Sequence, residues 1–224
     1  ERVRAMYTND STGVYVNLQD GYADDGSGSR DTLENIQAVS GSNNGSDTLI
    51  GEYEGNSGFF GTLGDDFIDG NDSVGTSWIS YGWIDAPDNF LGMDIDLSQE
   101  AVTGYGLAQG WETIEGTEEV LFTDQLQDIF HAWGTDFDDE ITGSDADNTL
   151  AGEGGDDILR GGDGLDRLSG GAGGDTLYGG NGLLDRADYS DDPGAISVTM
   201  DMTMATDHGG PSSVGKNGPI TVMD

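Results

Sequence analysis

The sequence contains no cysteine, so disulfide bonds and thiolate zinc sites cannot hold its fold. Basic residues are scarce as well: 7 Lys and Arg stand against 44 Asp and Glu, which gives a formal charge of −37. Without a basic patch to neutralise phosphates, binding to nucleic acid is not expected. No apolar run approaches the roughly 20 residues that a membrane-spanning helix requires, so direct membrane insertion is not expected either.

Catalytic signatures are also missing from the sequence. The two histidines, His131 and His208, are followed by Ala-Trp and Gly-Gly, so neither begins the His-Glu-x-x-His motif of a zinc protease. No serine lies in a Gly-x-Ser-x-Gly nucleophile elbow. Acidic residues are so numerous that a pair of carboxylates carries no information about glycosidase activity. We therefore predict that the chain is not an enzyme.

The composition nevertheless predicts a folded chain. A disordered acidic tail carries few aromatic residues, whereas this sequence has 34% hydrophobic residues, with 4 Trp, 8 Tyr and 7 Phe. A compact protein with so large a negative charge would repel itself unless cations neutralised it. The 39 glycines are regularly spaced, which favours an ordered, cation-binding fold over disorder.

The regular spacing of glycine comes from a repeat of nine residues. Six consecutive blocks begin at Gly134, and the first five read GTDFDDEIT, GSDADNTLA, GEGGDDILR, GGDGLDRLS and GGAGGDTLY. Position six of these blocks is Asp139, Asn148, Asp157, Asp166 and Asp175, and position eight is Ile141, Leu150, Leu159, Leu168 and Leu177. In the sixth block, GGNGLLDRA, the aspartate moves one place to Asp185, which indicates the end of the regular repeat.

Each recurrent position of the block has a physical reason. Glycine permits left-handed backbone angles, so the first six residues can form a tight turn with exposed carbonyl groups. The aspartate supplies carboxylate oxygens, the ligands that a hard cation prefers. The last three residues predict a short strand with one apolar side chain facing inward. Because such a strand is not stable alone, the blocks must stack into a solenoid.

This pattern resembles the RTX nonapeptide GGxGxDxUx, in which U is a large apolar residue. The resemblance implies an all-β fold, a right-handed parallel β-roll (solenoid) with two blocks per coil, and several Ca²⁺ ions between turns two blocks apart. Asp139, Asp157 and Asp175 would line one edge of the roll, and Asn148 and Asp166 the other. The implied ligand set, from side chains and turn carbonyls, is Asp136, Asp139, Asp145, Asn148, Gly152, Gly154, Asp157, Gly161, Asp163, Asp166, Gly170, Ala172 and Asp175. Phe137 and Ala146 replace the glycine at position four, so calcium binding is expected to be weaker at that end.

A weaker form of the same pattern lies upstream. Ser46–Gly51 and Gly61–Gly70 both resemble the end of a nonapeptide, and Asp47 and Asp66 occupy the aspartate position. These two aspartates are 19 residues apart, one more than two blocks, so an insertion or bulge is expected between them. We predict a degenerate roll here, with Asp47 and Asp66 as further calcium ligands.

A longer repeat organises the whole chain, because three stretches alternate apolar and polar residues as half-buried strands do. They are Gly13–Leu18, Gly92–Leu97 and 195–200, and Tyr7, Tyr81 and Tyr189 precede them. This predicts a first unit over 1–80 with a degenerate roll, and a second over 81–188 with the well-formed roll at 134–187, with additional strands between the rolls. A third unit, over 189–224, is cut short. Since the chain also starts without Met, we expect it to be part of a longer protein.

The aromatic residues between the rolls have two interpretations. Trp78, Tyr81, Trp83, Phe90, Trp111 and Trp133 either close the ends of a thin core, which we favour, or stack on sugar rings. The resemblance implies a secreted bacterial protein, exported by a type I channel, that folds on meeting extracellular calcium. We expect a structural or adhesive cell-surface module, partnered by calcium ions and by further copies of itself or a surface polysaccharide. The alternative is a polysaccharide-binding accessory module of a secreted enzyme, similar to those of alginate epimerases or RTX proteases.

Overall fold

The computed structural model describes residues 3–53, 55–72, 75–98, 105–182, 184–190, 197–200 and 220–223. These residues form strands and turns, and they include no helix long and apolar enough to cross a bilayer. The strands are β1 (Arg4–Met6), β2 (Tyr15–Asn17), β3 (Tyr22–Asp24), β4 (Arg30–Thr32), β5 (Ala38–Ser40), β6 (Thr48–Ile50), β7 (Gly58–Phe60), β8 (Phe67–Asp69), β9 (Trp78–Ser80), β10 (Phe90–Asp96), β11 (Gly106–Ile114), β12 (Thr117–Gln127), β13 (His131–Trp133), β14 (Glu140–Thr142), β15 (Thr149–Gly154), β16 (Ile158–Gly162), β17 (Arg167–Ala172), β18 (Thr176–Gly180), β19 (Arg186–Ala187), β20 (Ser197–Met200) and β21 (Ile220–Met223).

Two sheets form the body of the molecule. The first, which we call sheet A, has eight strands in the order β1-β5-β7-β9-β13-β15-β17-β19, and each of its pairings is parallel. Successive strands of sheet A are separated in the chain by strands of the opposite sheet. This alternation is the winding of a solenoid, so the predicted all-β parallel roll is confirmed.

The second sheet, sheet B, is mixed. Its 13 strands follow the order β20-β21-β18-β16-β14-β10-β11-β12-β8-β6-β2-β3-β4. It contains two antiparallel meanders: β10-β11-β12 lies between parallel-paired strands, and β2-β3-β4 forms one end of the sheet. They are the additional strand segments that the alternating sequence stretches predict, and each meander begins with one of those stretches.

Coil length differs between the two rolls, which we call the first roll (38–80) and the second roll (134–187). In the second roll, Thr149 of β15 pairs with Arg167 of β17, and Glu140 of β14 with Ile158 of β16, so one coil takes two nonapeptides. In the first roll, Ala38 of β5 pairs with Gly58 of β7, a longer coil. The longer coils accommodate the irregular turns that the sequence shows there.

The core is a thin double row of side chains between the sheets. The central residue of each short strand points inward, because neighbouring residues of a strand face opposite sides. These inward residues are Val39, Leu49, Phe59, Ile68, Ile79, Ala132, Ile141, Leu150, Leu159, Leu168 and Leu177, each no more than 2% exposed. A buried aliphatic side chain contributes about 1.5–3 kcal/mol, so one coil alone adds little and stability depends on stacking.

The two rolls share both sheets. In sheet A, β9 of the first roll pairs with β13, which leads into the second. In sheet B, β8 pairs in parallel with β12, the last strand of the second meander. The division of the chain at residues 80 and 81 stays a prediction, and strand pairing is continuous across it. Of the predicted third unit, the structure describes residues 189–190 and the strands β20 and β21, and these two strands pair antiparallel.

Candidate metal centre

The aspartates of the second roll form two rows, one at each edge. The backbone N–H of Asp139 donates to Asp157 Oδ1 (2.8 Å), and that of Asp157 donates to Asp175 Oδ1 (3.0 Å). At the other edge, the N–H of Asn148 donates to Asp166 Oδ1 (2.9 Å). These residues are the two sets that the resemblance implies, at a spacing of 18 residues. One carboxylate oxygen of each aspartate therefore links its own coil to the preceding coil.

In the middle of the second roll, the other carboxylate oxygen of the aspartate accepts no hydrogen bond from the described residues. Asp157 and Asp166 are 1% and 2% exposed. Their Oδ2 atoms are buried and find no hydrogen-bond donor among the described residues. An ionised oxygen buried without a donor is strongly unfavourable. A cation at these two atoms would remove that cost.

The glycine that opens each block makes room for these oxygens. A β-carbon built on Gly152 would overlap Asp157 Oδ2 and would lie 2.7 Å from the carbonyl oxygen of Gly170. The same construction on Gly161 meets Asp166 Oδ2 and the carbonyl oxygen of Gly179. A carboxylate oxygen and a carbonyl oxygen from the next coil thus converge at Gly152 and at Gly161. Oxygens of this kind suit Ca²⁺, which takes six to eight of them.

Burial disfavours the charged form of these carboxylates in the absence of a cation. It raises the pKa of Asp157 to about 8, and the charges of Asp139 and Asp175 add to the rise. Burial likewise raises the pKa of Asp166 to about 6 and that of Asp139 to about 6. Protons and calcium ions would therefore compete for the same oxygens.

At the start of the second roll, protein groups donate hydrogen bonds to the side chains at position six. The Thr135 hydroxyl lies 3.0 Å from Asp139 Oδ1 and 3.1 Å from Oδ2, and the Thr135 N–H donates to Oδ2 (2.6 Å). The N–H of Ser144 donates to Asn148 Oδ1 (2.7 Å). Both position-six side chains are buried. The protein itself therefore supplies donors where the sequence departs from the nonapeptide.

Position three of the blocks lies at the outer side of the turns. Asp136, Asp145 and Asp163 are exposed. Asp163 Oδ1 accepts from the side-chain amide of Asn181 (2.9 Å). The Gly154 N–H donates to the Thr135 carbonyl, and the Ala172 carbonyl accepts from the Gly155 N–H. The exposed carboxylates are free of the burial cost that applies at position six, and the Ala172 carbonyl keeps a second lone pair for a cation.

The candidate aspartates of the first roll are surrounded by protein donors. Asp47 Oδ1 accepts from the Val14 N–H (2.8 Å) and the Ser42 hydroxyl (2.9 Å), and its Oδ2 accepts from the Ser42 N–H (2.7 Å). Asp66 Oδ1 accepts from the Asp47 N–H (2.8 Å), and its Oδ2 lies 3.3 Å from the Thr62 hydroxyl. Their role as calcium ligands stays a prediction.

Sequence reasoning missed one member of this row, Asp124. It lies on β12 and is fully buried; its Oδ1 accepts from the Asp66 N–H (3.0 Å), and its Oδ2 from the Tyr81 hydroxyl (2.6 Å). Burial is the main reason that its pKa rises to about 8, and burial together with the Asp124 charge raises that of Asp66 to about 9. The signal was the alternation of Phe122, Asp124 and Leu126, which places an acid on the apolar face.

Comparison with known families agrees with the geometry. Residues 133–168 and 160–182 match the model of the RTX calcium-binding nonapeptide repeat, in four copies. These residues are RTX repeats. No curated protein matches the chain. The repeats bind several Ca²⁺ ions, and the second roll is accordingly a calcium-binding RTX module.

The residues of the second roll fit that ion. The described residues contain no group of three or more His, Cys, Asp or Glu arranged to hold a metal ion. Backbone carbonyls must therefore complete the coordination, and the converging oxygens at Gly152 and Gly161 are of this kind. Oxygen ligands without nitrogen or sulfur favour Ca²⁺ over zinc or copper.

Proposed function

We propose that the protein is a structural or adhesive module of a secreted, cell-surface or matrix-associated RTX protein, and that calcium binding drives its folding. The observation that carries this proposal is the pair of buried Oδ2 atoms of Asp157 and Asp166, which lack donors among the described residues. Folding brings these carboxylates out of water, and a bound cation offsets that cost. Metal-binding energy then becomes folding energy.

The proposed ligands follow the two edges of the second roll. Asp157, Asp166 and Asp175 provide the buried carboxylates, and carbonyl groups at positions one and three of neighbouring blocks complete the sites. Asp136, Asp139, Asp145 and Asn148 belong to the first two blocks, where weaker binding is expected. Bound Ca²⁺ would supply the positive charge that holds the oxygens of adjacent turns together. The chain's own part is to place oxygens from two coils at one point, which the opening glycines permit.

The coupling of folding to calcium binding also favours an extracellular location. Extracellular calcium modules bind with dissociation constants of roughly 10⁻⁴–10⁻³ M. A module with such affinity stays unfolded at cytosolic calcium levels, as passage through a type I secretion channel requires, and folds outside the cell. Since the folded role is to present a rigid solenoid, we propose no catalytic activity for it.

A calcium titration followed by far-UV circular dichroism tests the proposal, with magnesium as the control ion. We expect a coil-to-β transition at sub-millimolar to millimolar calcium that magnesium does not reproduce. The double variant Asp157→Asn and Asp166→Asn should shift the midpoint to higher calcium by at least tenfold. Asp88→Asn, at an exposed loop residue, is the matched control and should leave the midpoint unchanged. A far-UV spectrum in chelator identical to that in calcium would contradict calcium-coupled folding.

A further inference from the structure

The outer face of sheet A carries a row of aromatic rings that the core does not use. Phe60 and Trp78 lie with ring centroids 5.3 Å apart, and Trp78 and Trp133 with centroids 5.6 Å apart. They come from the adjacent strands β7, β9 and β13, and all three side chains are half-buried. Of the aromatic residues expected to close the core, Tyr81 and Phe90 do lie inside it, at 0% and 4% exposed. Trp78 and Trp133 have a different position, on the surface of the sheet.

Strand register shapes these rings into a groove. Ser80 pairs with Phe60 on one side and with Trp133 on the other, so a small side chain separates two large ones. Trp78 lies over Gly58, where a β-carbon would overlap its indole ring. The resulting groove has a volume of about 440 Å³, large enough for one or two sugar rings. Small floor residues and aromatic walls make a concave site of the kind that holds organic ligands.

The polar groups of the groove are uncharged. Its other lining residues are Asn56, Thr76, Ser80 and His131, and none of the described lining residues carries a formal charge except through protonation of His131. His131 Nδ1 accepts from the Thr149 N–H (3.0 Å), so its Nε2 carries the ring proton. Burial lowers the pKa of His131, which keeps the imidazole neutral at neutral pH. The groove therefore offers an amide, two hydroxyls and an imidazole N–H beside aromatic surfaces.

We propose that this groove binds a neutral polysaccharide. A pyranose ring has an apolar face that stacks on an aromatic ring and hydroxyl groups that pair with neutral donors and acceptors. An anionic glycan is disfavoured, because the chain carries a formal charge of −37 and would repel it. The inference rests on the adhesive role proposed above and gives that role a ligand.

The surface beyond Trp133 indicates a ligand longer than one sugar. A second groove, of about 290 Å³, lies on the other side of this residue and is lined by Thr149, Ala151, Arg167 and Ser169 among others. Trp133 borders both grooves. A glycan chain that crosses the strands of sheet A would contact the two grooves in turn. Several weak subsites along a chain give the avidity that adhesion requires.

Affinity electrophoresis in native gels tests the proposal, with calcium-saturated protein whose fold is verified by circular dichroism. The gels contain a neutral β-glucan, a neutral mannan or, as the anionic comparison, alginate. We expect retardation by at least one neutral polysaccharide and none by alginate. Trp78→Ala and Trp133→Ala should each weaken the retardation at least tenfold. Trp83→Ala is the control, because Trp83 is 76% exposed and lies outside the groove.

A substitution outside the strands separates loss of glycan binding from loss of the fold. Asn56 is exposed and lines the groove, so Asn56→Ala should weaken retardation while the melting temperature stays within 1–2 °C of wild type, about what a surface substitution changes. Absence of retardation in both neutral gels would overturn the proposal, as would equal losses in the Trp83 and Trp78 variants. If the wild-type protein binds no glycan and the sedimentation coefficient of Trp78→Ala differs from that of wild type, the groove is a contact between copies of the chain, and the proposal is overturned. A protein that folds with calcium but binds no glycan would overturn this inference alone.

Discussion

The two rolls solve the same electrostatic problem with different chemistry. Each buries a row of aspartates at the turns of its coils. In the first roll, Asp47 accepts from the Ser42 hydroxyl and from the N–H groups of Val14 and Ser42. In the second roll, Asp157 Oδ1 accepts from the Asp139 N–H, and its Oδ2 has no donor among the described residues.

Position two of the block accounts for the difference. It is Ser42 or Thr62 in the first roll, where the hydroxyl lies beside the aspartate. In the second roll it is Glu153 in the block of Asp157 and Gly162 in the block of Asp166, with φ of 81° and 107°, and neither residue carries a hydroxyl. A buried carboxylate must be paired or neutralised, and a hydroxyl donor does locally what a calcium ion does between coils. Calcium dependence is therefore expected to be strongest where the residue at position two has no hydroxyl.

Removal of calcium should separate the rolls most clearly. The Phe67 N–H of the first roll donates to the Asp47 carbonyl, and the Thr176 N–H of the second donates to the Asp157 carbonyl, so the two amides are matched reporters. As chelator lowers the free calcium concentration, we expect exchange protection to be lost at Thr176 before it is lost at Phe67. Hydrogen exchange read by NMR or mass spectrometry measures both. Equal loss at the two amides would mean that the rolls unfold as one cooperative unit.

A pH dependence is the next largest effect, and it comes from the row of buried aspartates that continues from the first roll onto β12. The folded-state pKa of Asp124 is raised to about 8, above its unfolded value of about 4. Its contribution to stability is therefore fully present below pH ~4 and is lost as pH rises through about 8. The slope for one proton is at most about 1.4 kcal/mol per pH unit. Asp124→Asn keeps an acceptor for the Asp66 N–H and should flatten the profile between pH 5 and 8.

Urea unfolding at saturating calcium measures this difference. Asp88→Asn is the control, because Asp88 is an exposed loop residue and is not among the charges that raise the pKa of Asp124. Its pH profile should follow that of the wild-type protein. If Asp124→Asn retains the wild-type slope, the proton that the buried row requires lies elsewhere.

The opening glycines predict a substitution effect that calcium modulates. Gly152→Ala places a methyl group against Asp157 Oδ2 and the Gly170 carbonyl, and we expect a loss of about 1–3 kcal/mol, typical of overpacking, with weaker calcium binding. Gly41→Ala meets Asp47 in the same way and should cost similar stability without changing calcium affinity. Gly82→Ala, whose nearest atom would be 3.5 Å away, is the control for both. A calcium affinity unaffected by Gly152→Ala would contradict a site at this glycine.

Periodicity predicted most of the fold, because each nonapeptide repeats the same local chemistry. The inward position-eight residues and the two rows of aspartates follow from the spacing of nine. Two positions that the longer repeat aligns make equivalent bonds: the N–H groups of Val14 and Met93 donate to Asp47 and Asp139. The division of the chain into repeated units stays a prediction. Pairing of β8 with β12 was not predictable, because it depends on contacts between distant segments. The hydroxyl donors to the aspartates were missed because they matter only once burial is known.

The smallest expected effect is at Thr135, where the two kinds of chemistry meet. Its hydroxyl lies beside the buried Asp139 carboxylate, in a block that belongs to the calcium-binding repeats. Thr135→Val keeps the shape and removes the donor, so at a calcium concentration just sufficient to fold the second roll we expect a loss of about 1 kcal/mol. At saturating calcium the loss should be smaller, because a cation then compensates Asp139. Thr142→Val, at a half-buried residue of β14, is the control in urea unfolding. An equal loss at limiting and at saturating calcium would mean that the hydroxyl does not replace a cation, and that the contrast between the rolls has another origin.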